Sequence, residues 1–266
     1  MTYWESDSLC KTYADVRPTV PISLVHKVAE FYSEQSKLNG ATQLVDVGCG
    51  PGLNTVVFRQ YWPRQMHVEG IDISEAQINE AVERFGMHSG LTFRVHDCSH
   101  PLPYPNNSID IITSTTAVHW FDITRFMTDC CRVLKPGGVL ALATNVFNNI
   151  RLPNAGHQMQ SRLDAVVKEF LGDFMLEHGH ADERMKLVWN EYRDIQMPYP
   201  DQRDYFLQPI TQSTAEDEQS DNLVRIRPMT LRKYAALQQT VQAVCTYEQR
   251  HRGLHTADNT IGWTIQ

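Results

Sequence analysis

The chain has 266 residues, 42% of them hydrophobic, with a formal net charge of −7 and a pI near 5.9. An acidic chain without a long Lys/Arg run lacks the basic patch that nucleic-acid binding needs. No apolar run approaches the length of a membrane span, and residues 1–7 lack the basic and apolar regions of a signal peptide. Its six cysteines form no C-x-x-C pair and no disulfide-scaffold spacing. We expect a cytoplasmic enzyme with reduced cysteines and no nucleic-acid or membrane partner, while the oligomeric state stays open.

The first predicted helix is preceded by a segment that contains two prolines. Two prolines, Pro18 and Pro21, predict an extended entry over residues 13–21. Apolar residues at helical spacing then predict a helix from Ile22 to about Glu34.

A glycine-rich stretch follows a short apolar run. Residues 43–47 are typical of a buried strand, and residues 53–61 have helical apolar spacing. Between them Gly48, Gly50 and Gly52 permit a tight turn and close approach to a ligand. Strand, glycine turn and helix start together form the nucleotide-facing corner of a βαβ unit.

The glycine spacing separates two kinds of nucleotide. A dinucleotide fingerprint places its third glycine where this chain has Leu53, and Pro51 removes one backbone donor. With Asp46 just before the turn, the loop favours a ligand with a cationic centre, such as the sulfonium and ammonium of S-adenosylmethionine (SAM). An NAD-dependent dehydrogenase is the weaker alternative.

A second strand is predicted over residues 67–73. Asp72 lies at its end, 20 residues after Gly52, where a carboxylate can accept hydrogen bonds from both ribose hydroxyls. The alternative is a capping role for the next helix, which Ser74 opens with Gln77 completing a capping box. The buried face of that helix is expected to comprise Ile78, Ala81, Val82 and Phe85.

A third strand, residues 91–96, ends at Asp97 and Cys98. The Asp97 carboxylate can accept the adenine amine, and the backbone amide of Cys98 can meet the ring. Residues 96–100 also offer metal-ligand types, but adjacent ligands on one short loop do not converge on one ion. We therefore expect no metal.

The fourth and fifth strands are predicted over residues 108–116 and 139–144. A helix over residues 123–134 lies between them, with Asp122 as its N-cap and residues 135–138 as its end. Five strands alternating with helices predict an α/β fold with a doubly wound, mostly parallel sheet. Its ligand should lie at the carboxyl ends of the strands.

These motifs occur together in one known family. Residues 45–52, Asp72, Asp97 and residues 132–138, in this order, resemble the motif set of class I SAM-dependent methyltransferases. The resemblance implies a Rossmann-like fold, SAM as cofactor, S-adenosylhomocysteine (SAH) as product and no metal. In Cys49 the backbone amide is the expected ligand group. The predicted cofactor-binding residues are Tyr13, Arg17, Asp46, Gly48, Cys49, Gly50, Asp72, Ile73, Asp97, Cys98 and Thr115.

A finer resemblance concerns two further places. Tyr13 and Arg17 before a helix, with His119-Trp120 after the fourth strand, resemble the small-molecule branch around the trans-aconitate methyltransferases. The His-Trp pair is also similar to that of juvenile-hormone acid methyltransferases. Arg17 is expected to bind the methionine carboxylate; alternatively the arm packs on the core. His119 is the candidate base or acceptor-binding residue, and alternatively it packs beside Trp120, a predicted wall of the acceptor pocket.

Three segments are expected: residues 1–40, an arm and helix over the cofactor; residues 41–150, the SAM-binding core; and residues 151–266, a helical cap with the acceptor region and remaining strands. The predicted elements of the last segment are helices over 158–176 and 180–192, strands over 194–199 and 223–226, and a helix from Thr230. Residues 260–265 are either a seventh strand or the chain lacks one.

Methyl transfer is an in-line displacement, in which positioning is worth roughly 7–11 kcal/mol. A carboxylate acceptor is already ionised at neutral pH, whereas a phenol with a pKa of about 10 benefits from a base. We expect O-methylation of a small carboxylate or phenol. C- or N-methylation, or a SAM-binding scaffold without turnover, are the alternatives.

Overall fold

The computed structural model describes residues 7–17, 19–35, 43–62, 64–144, 156–169 and 183–203. They belong to two compact units, one holding Met1–Ala143 with the segment from Ile195, and the other holding Thr144–Asp194. None of the helices in these ranges is long and apolar enough to cross a membrane.

The first unit is built on a sheet of five parallel strands in the order β3-β2-β1-β4-β5. This order confirms the doubly wound α/β sheet, because strands added on both sides of β1 require crossovers on both faces. The strands are β1 Gln43–Val47, β2 His67–Asp72, β3 Leu91–Val95, β4 Ile109–Thr115 and β5 Leu134–Ala143.

Helices alternate with these strands. Those of the first unit are α1 Asp7–Val16, α2 Ile22–Gln35, α3 Leu53–Tyr61, α4 Glu75–Phe85 and α5 Ile123–Val133, with a 3-10 turn at Val118–Trp120. The second unit contains α6 His157–Glu169 and α7 Glu183–Trp189. The predicted N-caps are confirmed: Ser74 accepts from the Gln77 amide and Asp122 from the Arg125 amide.

Helix α2 is part of the main hydrophobic core, with Val25 and Tyr32 buried against the sheet. Its two ends are fixed by hydrogen bonds. The Val20 amide donates to Asn54 Oδ1 at the start of α3 (2.9 Å), and the Tyr32 hydroxyl donates to Asp110 in β4 (3.0 Å). The apolar face that predicted α2 therefore serves core packing.

The N-terminal segment differs from its predicted extended conformation, because α1 covers Asp7–Val16. Cys10 and Ala14, four residues apart, are both buried, and Asp15 pairs with Arg84 of α4 at 2.8 Å. The prolines that predict an extended entry, Pro18 and Pro21, lie after this helix and do not interrupt it.

Three other predictions are corrected. Val82, expected in the buried face of α4, is 48% exposed. Residues 194–199 are described without a strand, as the proline at 198 disfavours ladder pairing. β5 begins at Leu134, which pairs with Ile109, and resumes at Val139 opposite Ile111. The intervening residues bulge out of the ladder.

The elements predicted over 223–226, from Thr230 and over 260–265 lie outside the described residues.

Arg132 fixes the helix-free connection between β3 and β4. Its guanidinium donates to the carbonyls of Leu102 and Tyr104 (2.8 Å each) and pairs with Asp129 at 2.5 Å. Replacing Arg132 by alanine removes these bonds together with a longer one to Asn106 Oδ1 (3.2 Å), and it leaves the two carbonyls without this donor. We expect the free energy of unfolding to fall by about 2–3 kcal/mol.

Urea unfolding measures this loss. Arg125→Ala is the control, because that arginine lies exposed on the same helix, and it should change stability by less than about 0.5 kcal/mol. Equal stability of Arg132→Ala and wild type would contradict the role given to the guanidinium. Lysine at position 132 should restore only part of the loss, since it lacks the planar fork.

Candidate active site

Residues 48–52, the glycine turn, follow β1 and direct their first amides into the protein. The amides of Gly48 and Cys49 donate to the Ile71 carbonyl (2.8 and 3.1 Å), and the Gly50 amide donates to Asp72 (2.8 Å). A phosphate-binding loop points such amides at its ligand. The predicted ligand role of the Cys49 amide is therefore corrected, and the turn does not suit a pyrophosphate.

The turn packs directly against the segment that follows β4. Gly48 has a φ of 70°, and a Cβ built on it would lie 2.4 Å from the Cβ of Ala117. Glycine is required at this position both for the left-handed backbone and for the space. The segment that carries His119 thus lies next to the turn.

Asp72 lies at the end of β2, where ribose binding and capping of α4 were its two predicted functions. One oxygen accepts the Gly50 amide and the other accepts the Ser74 amide at 2.8 and 2.9 Å. The capping box is consequently one-sided, because the Ser74 amide is bound by Asp72 and not by Gln77. A carboxylate oxygen can accept more than one hydrogen bond, and the ribose role of Asp72 stays a prediction.

Asp46 does not face the crevice as a direct ligand would. Its side chain is 1% exposed, and its two oxygens accept the hydroxyls of Thr55 (2.7 Å) and Thr113 (2.8 Å). Burial raises the pKa of this carboxyl to about 6, although the two hydroxyl donors oppose the shift. The prediction of direct cofactor contact is corrected, and Asp46 lies beneath the turn. Thr55 and Thr113 are polar residues on the apolar faces of α3 and β4, and this pattern is the sequence signal that could have identified them as partners of Asp46.

The end of β3 places Asp97 and Cys98 beside β2. Asp97 is partly exposed and accepts the Ser99 amide at 2.8 Å, and this bond lowers the pKa of its carboxyl. Burial raises the pKa of the Cys98 thiol to about 12, so this thiol is neutral. Ile73, directly after Asp72, is 48% exposed, which leaves an apolar surface at the same edge of the sheet.

His119 and Trp120 lie on the 3-10 turn after β4. His119 is 4% exposed, and its ring centroid lies 5.0 Å from that of Trp120. This arrangement agrees with packing beside Trp120, and the base role stays a prediction. Thr115 is the partly exposed last residue of β4. The next residue, Thr116, has an unusual φ of 54° for a β-branched residue.

Tyr13 and Arg17 contact each other on the N-terminal arm. The guanidinium carbon of Arg17 lies 4.6 Å from the Tyr13 ring centroid. Their predicted contacts with the cofactor stay a prediction.

Four neighbouring strands thus end at one edge around the glycine turn. The strand order reverses between β1 and β4, and ligands of open α/β sheets bind at such a switch point. The carboxylate of Asp72, the apolar Ile73 and the inward amides match an adenosyl ligand with a positive charge. In the described part of the chain, no three His, Cys, Asp or Glu side chains are grouped so that they could hold a metal ion.

Comparison with known proteins agrees with this geometry. Residues 45–142 match the model of a family described as a methyltransferase domain. The chain is 30% identical to CRG1 of Saccharomyces cerevisiae, a candidate SAM-dependent methyltransferase, over 48% of this chain and 43% of that protein. It is 27% identical to the trans-aconitate 2-methyltransferase of an Azoarcus species, over 53% of this chain and 51% of that protein.

A solved structure extends the comparison to most of the chain. A candidate type II methyltransferase from Anaeromyxobacter dehalogenans superimposes with a TM-score of 0.60 at 22% identity, covering 88% of this chain and 82% of that one. At this identity the match concerns the fold. The chain spans about half the length of the two curated relatives. Residues 45–142 therefore resemble a methyltransferase domain, and the chain shares its fold with a solved candidate methyltransferase.

Proposed function

We propose that this protein transfers a methyl group from SAM to an oxygen of a small organic acceptor, a carboxylate or a phenolic hydroxyl. The observation that carries the proposal is the arrangement at the switch point of the sheet, where the glycine turn is bound to Asp72 and packs on the segment that carries His119. The cytoplasm is the compartment we expect.

Different residues at the switch point would bind different parts of SAM. Asp72 would accept the ribose hydroxyls, and Ile73 and Asp97 would flank the adenine. The Ala117 segment, packed on Gly48, fixes the position of the residues that follow β4. When bound, SAM supplies an electrophilic methyl on a sulfonium. The protein's own contribution is to hold the acceptor in line with it.

The choice of acceptor rests on His119 and Trp120. An imidazole can accept the proton of a phenol or hold an anionic acceptor, and an indole N–H can donate to either. The relative named trans-aconitate 2-methyltransferase acts, by its name, on a small carboxylate.

The test is direct. Purified protein is titrated with SAM in a calorimeter, then incubated with SAM carrying a deuterated methyl and a panel of phenols and small organic acids. We expect micromolar SAM binding and a product whose labelled methyl is on oxygen. A label on carbon or nitrogen would move the assignment to C- or N-methylation. SAM binding without transfer to any acceptor would favour a scaffold. No SAM binding, with binding of NADH, would overturn the proposal.

A further inference from the structure

The carboxylate of Asp46 is buried beneath the glycine turn without a cationic partner. Its two oxygens accept hydroxyl hydrogens from Thr55 and Thr113. Among the residues that the structure describes, no Lys, Arg or His forms an ion pair with it. A buried charge that is not paired is costly, and two threonines are placed to keep it. The arrangement indicates that the charge itself has a use.

The charged and titratable groups around Asp46 are acidic or neutral. Asp72 of β2 is the neighbour whose negative charge acts on it most, and Cys49 in the turn keeps its proton because burial raises its pKa. Arg59, one turn along α3 from Thr55, donates to the carbonyls of Ser89 and Trp62 instead. The negative charge of Asp46 at the end of β1 is thus not paired with a cation among the described residues.

We propose that Asp46 acts, without touching the cofactor, as a buried counter-charge for the sulfonium and thereby makes the site prefer SAM to SAH. The inference rests on the proposed function. SAM and SAH share the adenosine, the ammonium and the carboxylate. They differ in the methyl group and in the positive charge that the sulfur carries in SAM. A fixed negative charge close to the glycine turn, in a poorly hydrated interior, stabilises the charged form selectively.

Asparagine at position 46 is the sharpest test, because it keeps the shape and hydrogen-bonding ability but removes the charge. We expect Asp46→Asn to weaken SAM binding about 10-fold, the size of a unit-charge interaction at roughly 10 Å in an effective dielectric of about 20. SAH binding should change less than about 2-fold. Sinefungin, with an ammonium in place of the sulfonium, should behave like SAM.

The matched control is Asp110→Asn. Asp110 is also 1% exposed but lies near the start of β4 and pairs with Lys135 at 2.9 Å. This variant should leave the ratio of SAH to SAM dissociation constants unchanged. If Asp46 served the fold alone, its variant would weaken SAM and SAH equally.

A pH series gives an independent readout. The raised pKa of Asp46 means that the wild type loses this charge as the pH falls through about 6. Its preference for SAM should therefore fall between pH 7 and pH 5, while Asp46→Asn shows a flat ratio. Ionisation of Asp46 strengthens the preference for SAM but lowers the stability of the fold. Because the folded state holds this proton more tightly than the unfolded state, the ionised group lowers Tm above about pH 6. Asp46→Asn should raise Tm at pH 7 more than at pH 5.

The outcomes separate the two proposals. A wild type that binds SAM with a ratio unchanged in Asp46→Asn would overturn the counter-charge, whereas a wild type that does not bind SAM would overturn the proposed function. Should Asp46→Asn not fold, Thr113→Val provides the second variant. Loss of that donor raises the pKa of Asp46, so the fall in preference for SAM should move to higher pH, and an unmoved fall would contradict the proposal.

Discussion

Replacing Asp72 by alanine should weaken SAM binding about 100-fold, or about 2.7 kcal/mol. Two losses combine. The ribose hydroxyls lose a charged acceptor, which is worth about 1–3 kcal/mol. In addition, the Gly50 and Ser74 amides lose the carboxylate that both donate to, so the glycine turn and the start of α4 are no longer joined. Titration calorimetry measures the affinity for SAM, and thermal unfolding measures the loss of stability that follows when the two amides lose their acceptor.

Two variants resolve the contributions. Asp72→Asn keeps an acceptor for one amide and should lose about 10-fold in affinity, with a smaller change in Tm. Asp97→Ala removes a partly exposed carboxylate whose described amide contact is with Ser99 in its own turn. It should cost at most about 10-fold and leave Tm within a degree or two. Affinity of Asp72→Ala within threefold of wild type would show that the ribose lies elsewhere.

The glycine turn shows what sequence can establish. Strand β1, the glycines and α3 were predictable because their signals are local: a buried apolar run, φ values that favour glycine, and helical spacing. The capping role of Ser74 was equally local. The five-strand parallel sheet followed from the alternation of elements.

The directions of polar groups in the site were not predictable. The amides of Gly48 and Cys49 bond to Ile71, which lies on a neighbouring strand, and no sequence spacing fixes this pairing. Asp46 likewise acquires its partners from α3 and β4, the latter 67 residues away in the chain. A carboxylate before a glycine turn is the same sequence signal whether it points into a crevice or beneath it. Only long-range packing decides between these cases.

The helix α1 and the bulge of β5 illustrate a second limit. Helix α1 contacts α4, including the Asp15–Arg84 pair, and this partner lies 69 residues away in the chain. In β5, the stretch that ends with Gly137 and Gly138 reads as a helix stop followed by a strand. In the structure the ladder begins at Leu134 and passes through these residues with a shift of register. Tertiary contacts outweigh local preference in both places.

Replacement of His119 by alanine should lower kcat/KM at neutral pH about 100-fold for a phenolic acceptor, if this imidazole takes the phenol proton. The 3-10 turn that carries His119 packs through Ala117 on Gly48, next to the glycine turn. For a carboxylic acid acceptor, already ionised at pH 7, the same variant should lose less than 10-fold. The contrast between the two acceptors separates proton transfer from general damage.

Steady-state rates across pH 6–10 test the assignment. The loss with a phenol should diminish as the pH approaches about 10, because the phenolate then forms without a base, and SAM affinity should stay within about threefold of wild type. Trp120→Phe is the matched control: it keeps a ring beside His119 but lacks the indole donor, so it should raise KM without a pH-dependent loss in kcat. Equal losses for both acceptors at every pH would mean that His119 closes the pocket by packing alone.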